Sequence, residues 1–435
     1  MTPTLIKSPH APRLNAPTVR RLANGLTIVA EQLPIEAVNL NLWLNVGSAV
    51  ETDAINGMAH FLEHMVFKGT AQLASGEFER LIEERGAVTN AATSQDYTHY
   101  YITTAPKDFA ELAPLQMDVV LNAEIADEAF ERERSVILEE IRRSDDNPRR
   151  RTFAKAMEVA FEKLPYRRPV LGPTSVIEQL TPQQMRDFHT QHYQPHSMTA
   201  AVVGNLPVEE LIQIVETALV KVQANRPAIA AQACLHDLPS YSIEPAFNAI
   251  VRQEFVDDSL QQARLVMAWR APGLADLQET YALDILATIL GQGRTARLIR
   301  DLREEKGLVS SIAASNITFE MQGAFYISAQ LPAENIPVVE AAIVDHIRKI
   351  QTEPVTEAEI ARVRTQVANR FIFGNETPSD RASLYGYYQA MVGDLAPALH
   401  YPAHIQALDA ASLQASAQRY LSTDAYGVVS LKPSA

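Results

Sequence analysis

The chain has 435 residues, 47% of them hydrophobic, and its 52 acidic against 38 basic side chains leave a net charge of −14. That balance argues against nucleic acid or an anionic membrane as the main partner, and the single cysteine, Cys234, excludes an internal disulfide and a cysteine-rich metal module. No apolar run approaches the roughly 18 residues that span a bilayer. The opening Met1 to Lys7 lacks the apolar stretch of a secretory signal. A cytoplasmic location is expected on this reading, or a periplasmic one if a signal has been removed. The length exceeds one typical core and predicts two or three domains.

In chain order, Asn24-Gly25 marks a turn, and residues 26–30 and 38–46 alternate as half-buried strands, candidates for antiparallel pairing. A helix is predicted over 56–67. It contains His60-Phe61-Leu62-Glu63-His64, in which His60 and His64 stand at i and i+4 and point the same way, so both can ligate one metal ion. Glu63 is placed to handle the proton of a water activated there. This order inverts the commoner His-Glu-x-x-His signature. A further helix is predicted over 75–85. Residues 90–101 then read as an exposed edge strand, and helices follow over 109–121 and 126–143.

Arg149-Arg150-Arg151, after Pro148, reads as a solvated loop. His189, His192 and His196 have cluster-like spacing, but Pro195 interrupts the helix that would join them and no acidic ligand accompanies them. A helix over 180–193 runs into a strand at 199–203, and a helix over 408–420 runs into a strand at 426–430. This repeated ending suggests a duplicated fold. The Ala- and Pro-rich stretch within 224–245 reads as the linker, dividing the chain into domains 1–223 and 246–435. Strands and helices mix without regular β-α-β alternation, which points to α+β domains with mostly antiparallel sheets.

A catalytic zinc needs a third protein ligand. On the 126–143 helix, Phe130, Val136, Ile137 and Ile141 define an apolar face, and Glu133 and Glu140 lie near its centre while Glu139 points away. Carboxylates on such a face need a cation or hydrogen-bond donors beneath them. Either a metal or the arginines of a packed neighbour meets that need.

The run from His60 to Thr70, with Glu133-Arg134-Ser135-Val136-Ile137-Leu138-Glu139-Glu140, resembles the pitrilysin family of inverzincin metallopeptidases, which includes the catalytic subunit of mitochondrial processing peptidase. Asn90-Ala91-Ala92-Thr93-Ser94 and, in the second half, Gly291-Gln292-Gly293-Arg294 and Leu302 to Leu308 extend the resemblance over most of the chain. It implies two α+β domains of similar fold forming half of a clamshell. It also implies one zinc per chain held by His60, His64 and Glu140, Glu63 as the base, Glu133 behind the ligands, and substrate added as a strand along Asn90, Ala91 and Ala92.

Active single-chain members carry an Arg-x6-Tyr pair in the second domain that binds substrate and stabilises the oxyanion. Here Arg303 is followed by Ser310 in the Tyr position, with Tyr387 and Tyr388 further on. The departure implies a heterodimer with a homologous chain that carries the Arg-Tyr pair, with a homodimer as the alternative. The function implied is a zinc endopeptidase subunit acting on peptides or unfolded segments. The competing reading is a non-catalytic core subunit of a larger complex.

Overall fold

The computed structural model describes residues 14–224 and 241–434; Cys234 and most of the expected 224–245 linker lie outside them. The first half contributes β1 (Thr18–Arg21), β2 (Thr27–Gln32), β3 (Val38–Leu44), α1 (Met58–Met65), α2 (Glu77–Glu84), β4 (Val88–Thr93) and β5 (Thr98–Thr104). It continues with α3 (Phe109–Leu121), α4 (Asp127–Asp145), α5 (Pro148–Ala160), α6 (Thr174–Ile177), α7 (Pro182–His192), β6 (Met198–Gly204) and α8 (Val208–Gln223). The second half contributes β7 (Val251–Val256), β8 (Ala263–Pro272), α9 (Leu277–Gly291), a π-helical turn (Ile299–Glu305), β9 (Ser311–Ile317) and β10 (Gln322–Leu331). Then come α10 (Ile336–Thr352), α11 (Glu357–Phe373), α12 (Pro378–Met391), α13 (Ala396–Ala407), α14 (Ala410–Tyr420) and β11 (Gly427–Lys432).

The duplication expected from the chain endings is present in the sheets. The first sheet runs β1-β2-β6-β3-β5-β4 and the second β7-β11-β8-β10-β9. In each, the closing strand inserts parallel to the opening one, β6 on β2 and β11 on β7, and antiparallel to the next, β3 and β8. Among the described residues the second copy lacks only a counterpart of β1. This arrangement corrects the expected pairing of 26–30 with 38–46, since β6 lies between β2 and β3. It also divides the expected edge strand 90–101: β4 is the edge, and β5 is an inner strand paired with both β3 and β4.

Strand alternation explains how each sheet is covered. Leu40, Leu42 and Leu44 of β3 face the core formed with α1 and α3, whereas Leu265, Met267 and Trp269 of β8 face α9. The opposite face of each sheet is covered by a helix from the other half. On one side, Ala156 and Val159 of α5 pack on Val266, Val429 and Leu431; on the other, Ala382 and Tyr385 of α12 pack on Val29, Ala201 and Val203. Gly386 allows α12 its close approach, because a Cβ there would lie 2.1 Å from Trp43 Nε1. Buried Glu31 accepts hydrogen bonds from Tyr385 (2.8 Å) and Arg381 across this contact.

The Arg149–Arg151 run is the first turn of α5, not a loop, with Asn147 capping it by accepting from the backbone N–H groups of Arg149 and Arg150. Pro148 occupies the first helical position, where a missing N–H costs nothing. Among the described residues, no helix is long and apolar enough to cross a membrane.

Candidate metal centre

The helix that carries the His-x-x-Glu-His motif is short and starts without a local side-chain cap, at Gly57 with φ of +97°. Its exposed N–H groups are met instead by Glu51, a wholly buried carboxylate six residues upstream. Its Oε2 accepts from Asn56 Nδ2 and Gly57 N, and its Oε1 from Ala59 N, each at 2.8 Å. The helix axis is therefore anchored at the turn preceding His60.

Two residues of α1 and one of α4 converge. Nε2 of His60 lies 3.6 Å from Glu140 Oε2, and Nε2 of His64 lies 3.7 Å from the same oxygen. One ligand atom from each residue falls within 4.8 Å of the others. A tetrahedral zinc with bonds of about 2.0–2.1 Å separates its ligand atoms by about 3.3–3.4 Å, so the two distances to Glu140 match that ion to within a few tenths of an ångström. The protonation states fit too. Burial, with His64 nearby, pushes the His60 imidazole down to about 4, which keeps it neutral at pH 7 as a ligand must be.

Glu133, two turns before Glu140, does not join the ligand atoms. Its Oε1 meets His64 Nδ1 at 3.0 Å and its Oε2 meets Lys68 Nζ at 2.8 Å. Burial pushes its carboxyl upward, but the hydrogen bonds from His64 and Lys68 prevail and hold it below the ordinary range. As an ionised acceptor it fixes the His64 tautomer with Nδ1 protonated, leaving Nε2 free to face Glu140. Both sequence readings of the α4 carboxylates thus have a counterpart here, although the cation beside Glu133 is Lys68 and not an arginine.

Glu63 projects toward the first sheet and accepts a hydrogen bond from Thr93 Oγ1 on β4. Burial raises its pKa above the usual carboxylate value, the Thr93 bond opposes this, and the Glu140 carboxylate adds to it. A carboxylate raised in this way is suited to taking a proton near neutral pH.

The remaining expected residues are distributed as follows. Asn90 and Ala92 are exposed on β4, Ala91 and Thr93 are half-buried, and Asn90 Oδ1 accepts from Ala91 N. No described strand pairs with the outer edge of β4. Arg303 lies in the π-helical turn of the second half, its guanidinium held by Glu304. Ser310 Oγ donates to Gln262 and shares Gln330 O. Tyr387 packs against Trp43 and Tyr97, and Tyr388 packs on Tyr387. His189 meets Val120 O at 2.8 Å beneath α7 and takes no part in the cluster.

Sequence reasoning missed Thr93, Lys68 and Glu51. Lys68 was detectable, four residues beyond His64 and so near the same face. Glu51 was not, because nothing local marks a cap supplied from a distance.

The family model described as insulinase, peptidase family M16, matches residues 27–174, and the M16 inactive-domain model matches residues 179–367. An uncharacterized zinc protease of Streptomyces coelicolor is 30% identical over 379 residues, covering 86% of this chain and 80% of the relative. The chain belongs to peptidase family M16. Another M16 relative, a probable mitochondrial-processing peptidase subunit beta of Arabidopsis thaliana, is 27% identical over 97% of this chain and 79% of its own length. A protease from Helicobacter pylori shares the M16 fold with a TM-score of 0.88 at 25% identity, covering 96% of this chain and 99% of its own. The two-domain α+β architecture is the one common to M16 structures.

Proposed function

We propose that this M16 chain is the catalytic subunit of a zinc endopeptidase acting on peptides or unfolded polypeptide segments, with domains 1–223 and 246–435. The observation that carries the reading is the convergence of His60, His64 and Glu140 with Glu63 on the same helix and an unpaired sheet edge beside it. The names of the zinc-protease relatives support the choice of metal.

His60, His64 and Glu140 would hold one zinc per chain, which when bound supplies Lewis-acid polarisation of the scissile carbonyl and the attacking water. Glu63 accepts a proton from that water as its oxygen bonds to the carbonyl carbon. It then delivers the proton to the departing amine as the C–N bond breaks. Thr93 keeps the Glu63 carboxylate turned toward β4, along which Asn90, Ala91 and Ala92 take the substrate backbone as an added strand. Backbone pairing of this kind grips any extended segment, which suits a peptidase of broad choice.

The Arg303 and Ser310 pairing leaves this chain without the phenol expected beside the oxyanion. The Arg-Tyr pair is therefore assigned to a homologous partner subunit in a heterodimer, with Arg303 as a substrate contact on this side. The Arabidopsis relative, named as a subunit, supports that assignment. The decisive variant is Glu63→Gln. It is expected to retain stoichiometric zinc and to lose cleavage by about 100-fold or more. Undiminished cleavage would refute the assignment of the base. Full activity from the isolated chain would refute the need for a partner.

A further inference from the structure

The duplication places a second cavity where the first half places its metal cluster. In the first half, functional side chains come from the helix after the second strand of the shared order (α1), from the edge strand (Thr93 of β4) and from α4. The same three positions in the second half are α9, the edge strand β9, and α11. They enclose a cavity of about 480 Å³ lined by Asp284 and Thr288 of α9, Asn316 of β9 and Arg370 of α11, and closed by Tyr388 of α12 and Tyr401 of α13. Both histidines are absent from it, so it is not a second metal site.

Two of its acceptors are only partly met. Asp284 Oδ1 takes a hydrogen bond from Asn316 Nδ2 at 3.0 Å and Oδ2 a long one from Tyr401 at 3.4 Å, and among the described residues no cation pairs with the carboxylate. Asn316 Oδ1 is buried without a donor. A half-buried carboxylate without a cation and an orphaned carbonyl oxygen side by side call for a ligand rich in N–H donors. Tyr388 and Tyr401 line the cavity as aromatic residues, and Ala287, Phe371 and Leu384 offer apolar contact to a methylene stem. The volume lies within the range of ordinary ligand pockets. Among the described residues the only guanidinium lining the cavity, that of Arg370, belongs to an exposed residue and donates to Gln292 Oε1 at 2.8 Å.

We infer that this cavity is a side-chain pocket that takes a lysine or arginine of a bound polypeptide, the ammonium or guanidinium meeting Asp284 and Asn316. Its role as a substrate-selecting pocket rests on the peptidase reading; its binding does not. Burial raises the Asp284 carboxyl to about 6, so the group is largely ionised at pH 7.5 and a cation would offset the cost of burying that charge.

The test uses the full-length Glu63→Gln chain, which needs no turnover, and two fluorescent peptides identical except for one arginine replaced by norleucine. Anisotropy is expected to give about tenfold or tighter binding of the arginine peptide, as a charge-assisted hydrogen bond affords. Adding the near-isosteric Asp284→Asn change should reduce that preference to about twofold. A preference that survives Asp284→Asn, or none at the outset, overturns the inference. A variant-free arm compares Nα-acetylarginine methylamide with its norleucine analogue as thermal stabilisers of the wild-type chain, and equal shifts also overturn it. Failure of both peptides to bind tells against the peptidase reading, in which case the small-molecule arm alone decides the pocket.

Discussion

Replacing Glu51 by alanine tests whether the helix carrying His60 and His64 depends on its distant cap. The substitution orphans the backbone N–H groups of Gly57 and Ala59 in a buried setting, while Asn56 keeps its bond to Pro169 O at 2.9 Å. Each orphaned donor costs about 1–3 kcal/mol, and the lost volume adds to this, so the whole loss should reach about 3–5 kcal/mol. For halves of this size that is a fall in melting temperature of roughly 8–15 °C. Glu51→Gln keeps one carbonyl oxygen, able to serve one side of the cap, and should lose about half as much.

Glu51 also titrates in a way that separates its charge from its hydrogen bonds. Burial raises its pKa from 4.5 to about 7 against the pull of Ala59, Asn56 and Gly57. A raised carboxyl binds more protons folded than unfolded, so its contribution is complete below 4.5 and is lost as pH rises toward 7. The interval corresponds to about 3 kcal/mol. The assay is chemical denaturation of metal-free protein from pH 4.5 to 8. The Gln variant should show a shallower decline with pH than wild type over that window. Parallel pH profiles, or an alanine variant that melts within 2 °C of wild type, would refute the reasoning.

Glu133→Gln should weaken zinc affinity by about 10- to 100-fold while the fold persists, measured by competition with a chromophoric chelator, since only the orientation of His64 is disturbed. Gly386→Ala should destabilise the chain by about 1–3 kcal/mol or more, because the new Cβ meets the rigid Trp43 ring and not a flexible side-chain end. Asp96, which accepts from Tyr166 and from the backbone of Glu320 in the other half, has its carboxyl raised by burial to about 6. Asp96→Asn should therefore remove stability that wild type loses between pH 3.8 and about 6, read from the difference between the two denaturation profiles. Chelation of zinc should abolish cleavage and lower the melting temperature, and zinc at a hundred times its dissociation constant should restore about 3 kcal/mol.

Local pattern carried the sequence reading where an element answers only to its own periodicity. The helix expected over 109–121 is observed as Phe109–Leu121, and the 126–143 helix begins and ends within two residues of α4. The convergence of His60 and His64 with the α4 carboxylates was legible for the same reason, since i, i+4 spacing and the faces of one helix constrain direction. Pairing was not. The closing strands β6 and β11 insert from about 160 residues away, and no local signal says that 198–204 will separate β2 from β3. The Arg149–Arg151 run read as solvated because three like charges suggest a loop, yet Asn147 and Pro148 before them start a helix well enough to carry the charges on its exposed side. Thr93 was hidden because its role depends on the register that sets β4 beside α1.

The crossed covering helices limit how the molecule can move. Separating the halves would strip α5 from Val266, Val429 and Leu431 and α12 from Val29, Ala201 and Val203, exposing two apolar sheet faces at once. At about 25 cal/mol per Å² of apolar surface, and with the Glu31 carboxylate then deprived of Arg381 and Tyr385, such an opening is costly. The halves therefore move as one body. On the proposed function, access of a polypeptide to Glu63 would then come by motion between this chain and the proposed partner, to which the tyrosine missing beside Arg303 is assigned. A disulfide locking α12 to the first sheet should accordingly leave peptide cleavage by the assembled enzyme unchanged, whereas a tether between the two chains should slow it. Inhibition by the intrachain lock would place the hinge inside the chain and contradict this account.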